Sequence, residues 1–81
     1  MELFNVYTAS GYHLPQYGQL SEFDARKLLS DVASEQLEIW PSAICECWIN
    51  LCAPSISRKG SMRTVYKLKP VRPCVNCEAQ S

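Results

Sequence analysis

Histidine and glycine are scarce in this 81-residue chain: one histidine, His13, and three glycines, Gly11, Gly18 and Gly60. The glycines stand far apart, which excludes a glycine-rich loop of the kind that cradles phosphates. A nucleophilic Cys–His pair needs a histidine within about 3 Å of the thiol, and no local motif around His13 supports one. The acidic side chains fall at helix-capping and solvent positions, where they serve solubility and the helix dipole. The expectation is a protein that is not an enzyme, with no catalytic residues. No apolar run approaches the roughly 20 residues that span a bilayer, so no membrane association is expected. The segment Met1–Asn5 lacks a basic stretch followed by an apolar one; taken as the natural start, it predicts a protein kept in the cytoplasm. There is no internal repeat, low-complexity tract or linker.

What is present fits a folded domain. Hydrophobic residues make up 47% of the chain and charged residues 20%, a globular rather than a disordered balance. A chain this short buries only about 60–65% of its unfolded surface, so the core is thin. The formal net charge is +0, but it is unevenly spread. Residues 1–57 hold seven acids and two bases, a net of −5, and residues 58–81 hold six bases and one acid, a net of +5. Such asymmetry points to an anionic partner, or to acids on one element neutralising bases on its neighbour.

Residues 3–8 are rich in strand formers, and the segment 9–19, with two glycines and a proline, reads as a loop. The spacing of Ala25, Leu28, Leu29, Val32 and Ala33 predicts an amphipathic helix over about 22–36, with Ser21 as N-cap and Asp24 at the third position. Trp40-Pro41 breaks the pattern, after a short extended piece at 37–40. Residues 43–52 read as a strand with Ala43, Cys45, Cys47, Ile49 and Leu51 on the core face. Residues 53–60 are a loop, and 61–69 a last strand with Met62, Thr64, Tyr66 and Leu68 inward and Arg63, Val65, Lys67 and Lys69 outward. The sum is an α+β fold: a small β-α-β-β domain with one amphipathic helix packed on a three- or four-stranded, mostly antiparallel sheet. Residues 1–73 form a single compact domain, and residues 74–81 a C-terminal tail bearing Cys-x-x-Cys.

Five cysteines is a high and odd count, so disulfides within one chain cannot use them all, and a cytosolic protein disfavours them altogether. Cys74 and Cys77 have the spacing by which a tight turn brings two thiolates to one zinc ion. Joined by Cys45 and Cys47 they would make a four-cysteine site. On a regular strand, however, side chains two apart sit about 7 Å from each other, so a kink is required. Cys52 or His13 could substitute for Cys45 or Cys47. The alternative is no cofactor at all, with Cys45 and Cys47 as small buried hydrophobes. A redox dithiol is disfavoured because the sequence is expected to leave no room after Cys74 for a helix that would lower its pKa.

Two surface regions look capable of binding. The loop around Tyr12, His13 and Tyr17 combines tyrosines with a rigid proline, an interface-like composition. The basic stretch places Arg63, Lys67 and Lys69 on one strand face and Arg58 and Lys59 in the adjoining loop, five charges suited to phosphates or to guarding an edge strand. No aromatic other than Trp48 is expected among them, which counts against base stacking. The helix offers the opposite sign at Glu22, Asp31 and Glu35. The resulting expectation is a small protein-binding inhibitor or adaptor that occludes a partner, which could itself belong to a nucleic-acid-binding complex. In size and surface it is comparable to phage- or mobile-element-encoded inhibitors of host defence, of the anti-CRISPR or anti-restriction type, though no motif is shared. The alternative is a zinc-supported module that binds nucleic acid directly through the basic strand face.

Overall fold

A computed structural model describes residues 2–72, 74 and 75. Among the described residues the elements run in order β1 (Phe4–Thr8), a 3-10 turn (Pro15–Tyr17), β2 (Gln19–Leu20), α1 (Glu22–Ala33), β3 (Glu38–Pro41), β4 (Ile49–Pro54) and β5 (Met62–Pro70). The strands form one antiparallel sheet in the order β2-β1-β5-β4-β3. The α+β class and the single covering helix are as the sequence predicts; the strand number is five rather than three or four. The unforeseen strand is β2, two residues long, inside a segment whose composition reads as loop.

Helix α1 carries the chain from the β2 edge of the sheet to the β3 edge, crossing one face on the way. The Ser21 side chain accepts a hydrogen bond from the Asp24 backbone N–H, and Glu22 and Asp24 occupy the first turn, where negative charge complements the helix dipole. The helix ends three residues earlier than its periodicity suggests. Ser34 takes a left-handed conformation (φ 56°), and Ser34 and Glu35 return their N–H groups to the carbonyls of Asp31 and Ser30, satisfying the last turn. Two helix side chains then hold the exit: Ser30 Oγ accepts from Leu37 N–H at 3.0 Å, and Arg26 Nε donates to Leu37 O at 3.0 Å.

The core lies between α1 and the sheet, built from Phe4, Val6, Ala25, Leu29, Leu37, Leu51, Ala53 and Leu68. Within the helix only Ala25 and Leu29 are buried. Leu28 and Val32, expected in the same stripe, remain 39% and 48% exposed. The reason is the narrowness of the contact: a single helix crossing a twisted sheet buries one row at four-residue spacing, and its flanking rows meet nothing.

The β4–β5 ladder is interrupted by a bulge. Leu51 pairs with Tyr66, but Cys52 pairs with Thr64, leaving Val65 as the extra residue. Val65 and Tyr66 both pack towards the core, and below the bulge the sides of β5 are exchanged. Arg63, expected outward, pairs with Ala53 on the helix side and forms an ion pair with Glu35. Thr64, expected inward, faces the opposite way with Cys52. A bulge has this consequence because it adds one residue to a pattern whose period is two.

Candidate functional site

The first cluster of interest forms at the end of the sheet where β3 turns into β4 and where β5 ends. Residues 43–48 are not the strand their alternation predicts; they are a compact loop between β3 and β4. Ser42 Oγ accepts from Ile44 N–H at 3.1 Å, Trp48 N–H donates to Cys45 O at 3.1 Å, and Ser42 N–H reaches Trp48 O at 3.4 Å. Folding the loop on itself supplies the kink that a straight strand lacks. Cys45 and Cys47 come to an Sγ–Sγ distance of 3.2 Å, far less than the separation on a regular strand. The chain leaving β5 brings Cys74 Sγ to 3.3 Å from Cys45 Sγ. All three sulfurs lie within 4.8 Å of one another, with Cys45 buried and Cys47 and Cys74 half-buried.

Cys77, the fourth residue of the proposed set, lies outside the described residues. Neither substitute joins the cluster. Cys52 sits in β4 with its Sγ 3.9 Å from Thr64 Oγ1, and burial pushes its thiol above the ordinary cysteine range. His13 is held elsewhere, bridged to Tyr7 and tilted over its ring at 5.0 Å.

The second feature is the sheet face opposite α1. Residues directly paired across strands share a face, so the register reads out its composition. One row runs Trp40, Asn50, Lys67, Tyr7 across β3, β4, β5 and β1. The next holds Lys69 and Asn5, paired across β5 and β1. Trp48, just before β4, completes that row: Lys69 Nζ lies 4.6 Å from the Trp48 ring centroid and 4.4 Å from that of Tyr7. One ammonium is thus held by two ring faces, an arrangement favoured by their quadrupoles. His13 extends the row of rings beyond Tyr7. These side chains are half-buried to exposed, as on a sheet face without a second layer.

Of the predicted partner-binding residues, Lys67 and Lys69 share this face, and His13 borders it. The expected five-charge patch does not assemble. Arg63 is engaged with Glu35 on the helix side. Arg58 and Lys59 are exposed in the β4–β5 loop, and Met62, which closes that loop, is about 16 Å along β5 from Lys67. The tyrosine loop also divides: Tyr12 is 74% exposed, whereas Tyr17 packs against the core, beside Tyr66, whose phenol is pushed up by burial and by that neighbour. Glu22 and Asp31 are exposed on α1. Sequence reasoning missed Tyr7, Trp40, Asn5 and Asn50. The signal for two of them was present in the alternation of β1, where Phe4 and Val6 point inward and Asn5 and Tyr7 must point out.

The fold and these two features define a small α+β domain with a cysteine cluster at one end and an aromatic–basic sheet face that no element among the described residues covers. No family model matches this chain, and comparison with curated proteins and with solved structures finds no match. Among the described residues no helix is long and apolar enough to cross a membrane.

Proposed function

We propose that the aromatic–basic sheet face opposite α1 binds single-stranded nucleic acid. The observation that carries this reading is the row of Trp40, Trp48, Tyr7 and His13 interleaved with Lys67, Lys69, Asn5 and Asn50 on one face. Aromatic faces accept unstacked bases of any identity, lysines neutralise the backbone, and side-chain amides offer donors and acceptors to base edges. Duplex DNA hides its base faces and would leave the rings unused. An incoming base displaces Lys69 from the Tyr7 or Trp48 ring and frees its ammonium for a phosphate, so the cation–π contact is exchanged rather than simply lost.

The test is fluorescence anisotropy with short labelled oligonucleotides of DNA and RNA. Single strands are expected to bind in preference to duplex, and Trp48→Ala to weaken binding about tenfold or more, in line with the stacking contribution of one base. Equal affinity for parent and variant, or no binding to either single strand at low salt, overturns the proposal.

A second reading, a protein partner engaged by the helix side, is supported by a different observation. Phe23 and Ile39 leave 68% and 39% of their surface exposed and line one hollow with Phe4 and the acids Glu2 and Glu22. Apolar groups exposed together are characteristic of interaction surfaces. This is where an inhibitor or adaptor of the kind expected from the sequence would dock. A pull-down from the source cells that loses a defined partner on Phe23→Ser and Ile39→Ser, but keeps it on Trp48→Ala, would favour this surface over the sheet face.

A further inference from the structure

We infer that Cys45, Cys47 and Cys74 form the thiolate cup of a structural zinc site, for which the spacing in the sequence offers Cys77 as the fourth donor. The first two residues come from the β3–β4 loop and the third from the segment after β5, 29 positions away from Cys45 in sequence. Strand pairing does not require them to meet, since they lie outside β4 and β5. Their convergence is therefore a property of the two loops.

The distances discriminate between the uses of such a cluster. A tetrahedral zinc ion with Zn–S bonds near 2.3 Å has sulfurs about 3.8 Å apart. The contacts of 3.2 and 3.3 Å lie about half an ångström inside that edge, and all three sulfurs fall within 4.8 Å of one another, so a small outward shift of the thiolates suffices to admit the ion. A disulfide requires about 2.05 Å and joins two sulfurs only, whereas Cys45 stands equally close to two. Tetrahedral sulfur sites hold zinc or iron–sulfur clusters; a two-iron cluster spreads its ligands over two metals and needs wider separations than this group provides. Cys45 at the centre is 6% exposed, so the ion would sit on the protein side of the loop.

The fourth donor follows from spacing. Cys74-x-x-Cys77 is the two-residue gap that lets one turn present two thiolates to one metal. Four thiolates leave the ion no open position, which makes the site structural rather than catalytic. Binding releases the thiol protons to solvent and leaves a dianionic centre. Positive charge stands at the same end of the molecule: Arg72 is two residues before Cys74, and Lys69 lies over Trp48, the residue after Cys47. In a thin-cored domain, an ion tying the β3–β4 loop to the end of β5 replaces packing that the core does not supply.

The experiment is metal analysis of the full chain purified without chelator. About one zinc per chain is expected in the parent, and less than about a tenth of that in Cys45→Ser, Cys74→Ser and Cys77→Ser. Cys52→Ser should retain the parent's content, because its sulfur bonds to Thr64 instead. Should the cluster variants fail to fold, the parent alone decides: alkylation mapped by mass spectrometry should show Cys45, Cys47, Cys74 and Cys77 protected together, and stripping zinc with chelator should expose all four. Iron in place of zinc, absence of metal, full zinc in Cys45→Ser, or an internal disulfide among these cysteines overturns the inference. Zinc content is read without nucleic acid, so this result and the fate of the sheet-face proposal are independent.

Discussion

Cys52 shows how one residue type takes on different chemistry within the same sheet. The residue is 5% exposed, its sulfur lies 3.9 Å from Thr64 Oγ1, and it pairs with Glu38 across the β3–β4 ladder. Burial raises its pKa first, and the Glu38 charge adds to the shift, while the Thr64 contact opposes it. The folded state therefore holds the neutral thiol in preference to the thiolate. The sign follows from linkage: above the ordinary cysteine pKa of about 8.5, the unfolded chain loses this proton before the folded one does. The stability contributed by keeping Cys52 neutral is complete below that value and disappears as pH rises through the folded pKa. Tyr66, also raised by burial, adds a second loss beginning near the tyrosine value of about 10. Urea midpoints should therefore fall as pH rises from about 8 to about 10, and Cys52→Ala should flatten the early part of that fall. An unchanged slope in the variant would assign the alkaline loss to other groups. Iodoacetamide should also label Cys52 slowly at neutral pH, since the reactive form is the thiolate.

At the scale of elements, the β5 bulge decides which cations the sheet face owns. Val65 is the extra residue, and below it the side chain of Arg63 faces α1, where Glu35 receives it. Both members of that pair keep more than a third of their surface exposed, 39% and 34%, so the pair contributes at most about 1 kcal/mol and less in salt. Arg63→Ala should accordingly leave the affinity for a single strand within about twofold, whereas Lys67→Ala should weaken it about as much as the loss of one phosphate contact. Anisotropy titrations of the two variants make the comparison, and equal losses would mean that Arg63 reaches the nucleic acid after all. The bulge also marks the limit of what the sequence shows. The helix was legible because Ser21, Asp24 and the Ala25–Leu29 spacing agree, and the Tyr66-to-Lys69 half of β5 because its alternation is strict. Below Tyr66 the same alternation continues in the letters while the ladder shifts by one, and nothing in Met62-Arg63-Thr64-Val65 announces the shift. The cysteine loop failed in the opposite way. Residues 43–48 alternate as a strand does, but Ser42 and Trp48 close a loop through backbone and hydroxyl bonds that periodicity cannot register. The Cys-x-Cys pair became credible as a metal half-site only once that loop replaced the strand.

For the whole molecule, zero net charge conceals a separation of faces rather than of sequence halves. The basic C-terminal third divides three ways: Lys67 and Lys69 on the open face, Arg63 beneath the helix, and Arg58 and Lys59 on a distant loop. Glu22, Asp24 and Asp31 stand exposed on the helix, where they repel a polyanion, while Glu38, paired with Cys52, is an acid on the open face. This distribution fixes how salt should act. Each phosphate neutralised on a single strand contributes about −0.7 to the slope of log affinity against log salt. Two lysines on the binding face therefore give a slope near −1.4, a loss of about sevenfold between 50 and 200 mM salt. A single patch of all five basic residues would give about −3.5 and a loss of roughly a hundredfold over the same range. The shallow slope means that ring stacking supplies most of the affinity remaining at high salt, which Trp48→Ala should then abolish while leaving the slope itself unchanged. A steep slope in the parent would show that the β4–β5 loop folds onto the ligand and that the basic third acts as one surface.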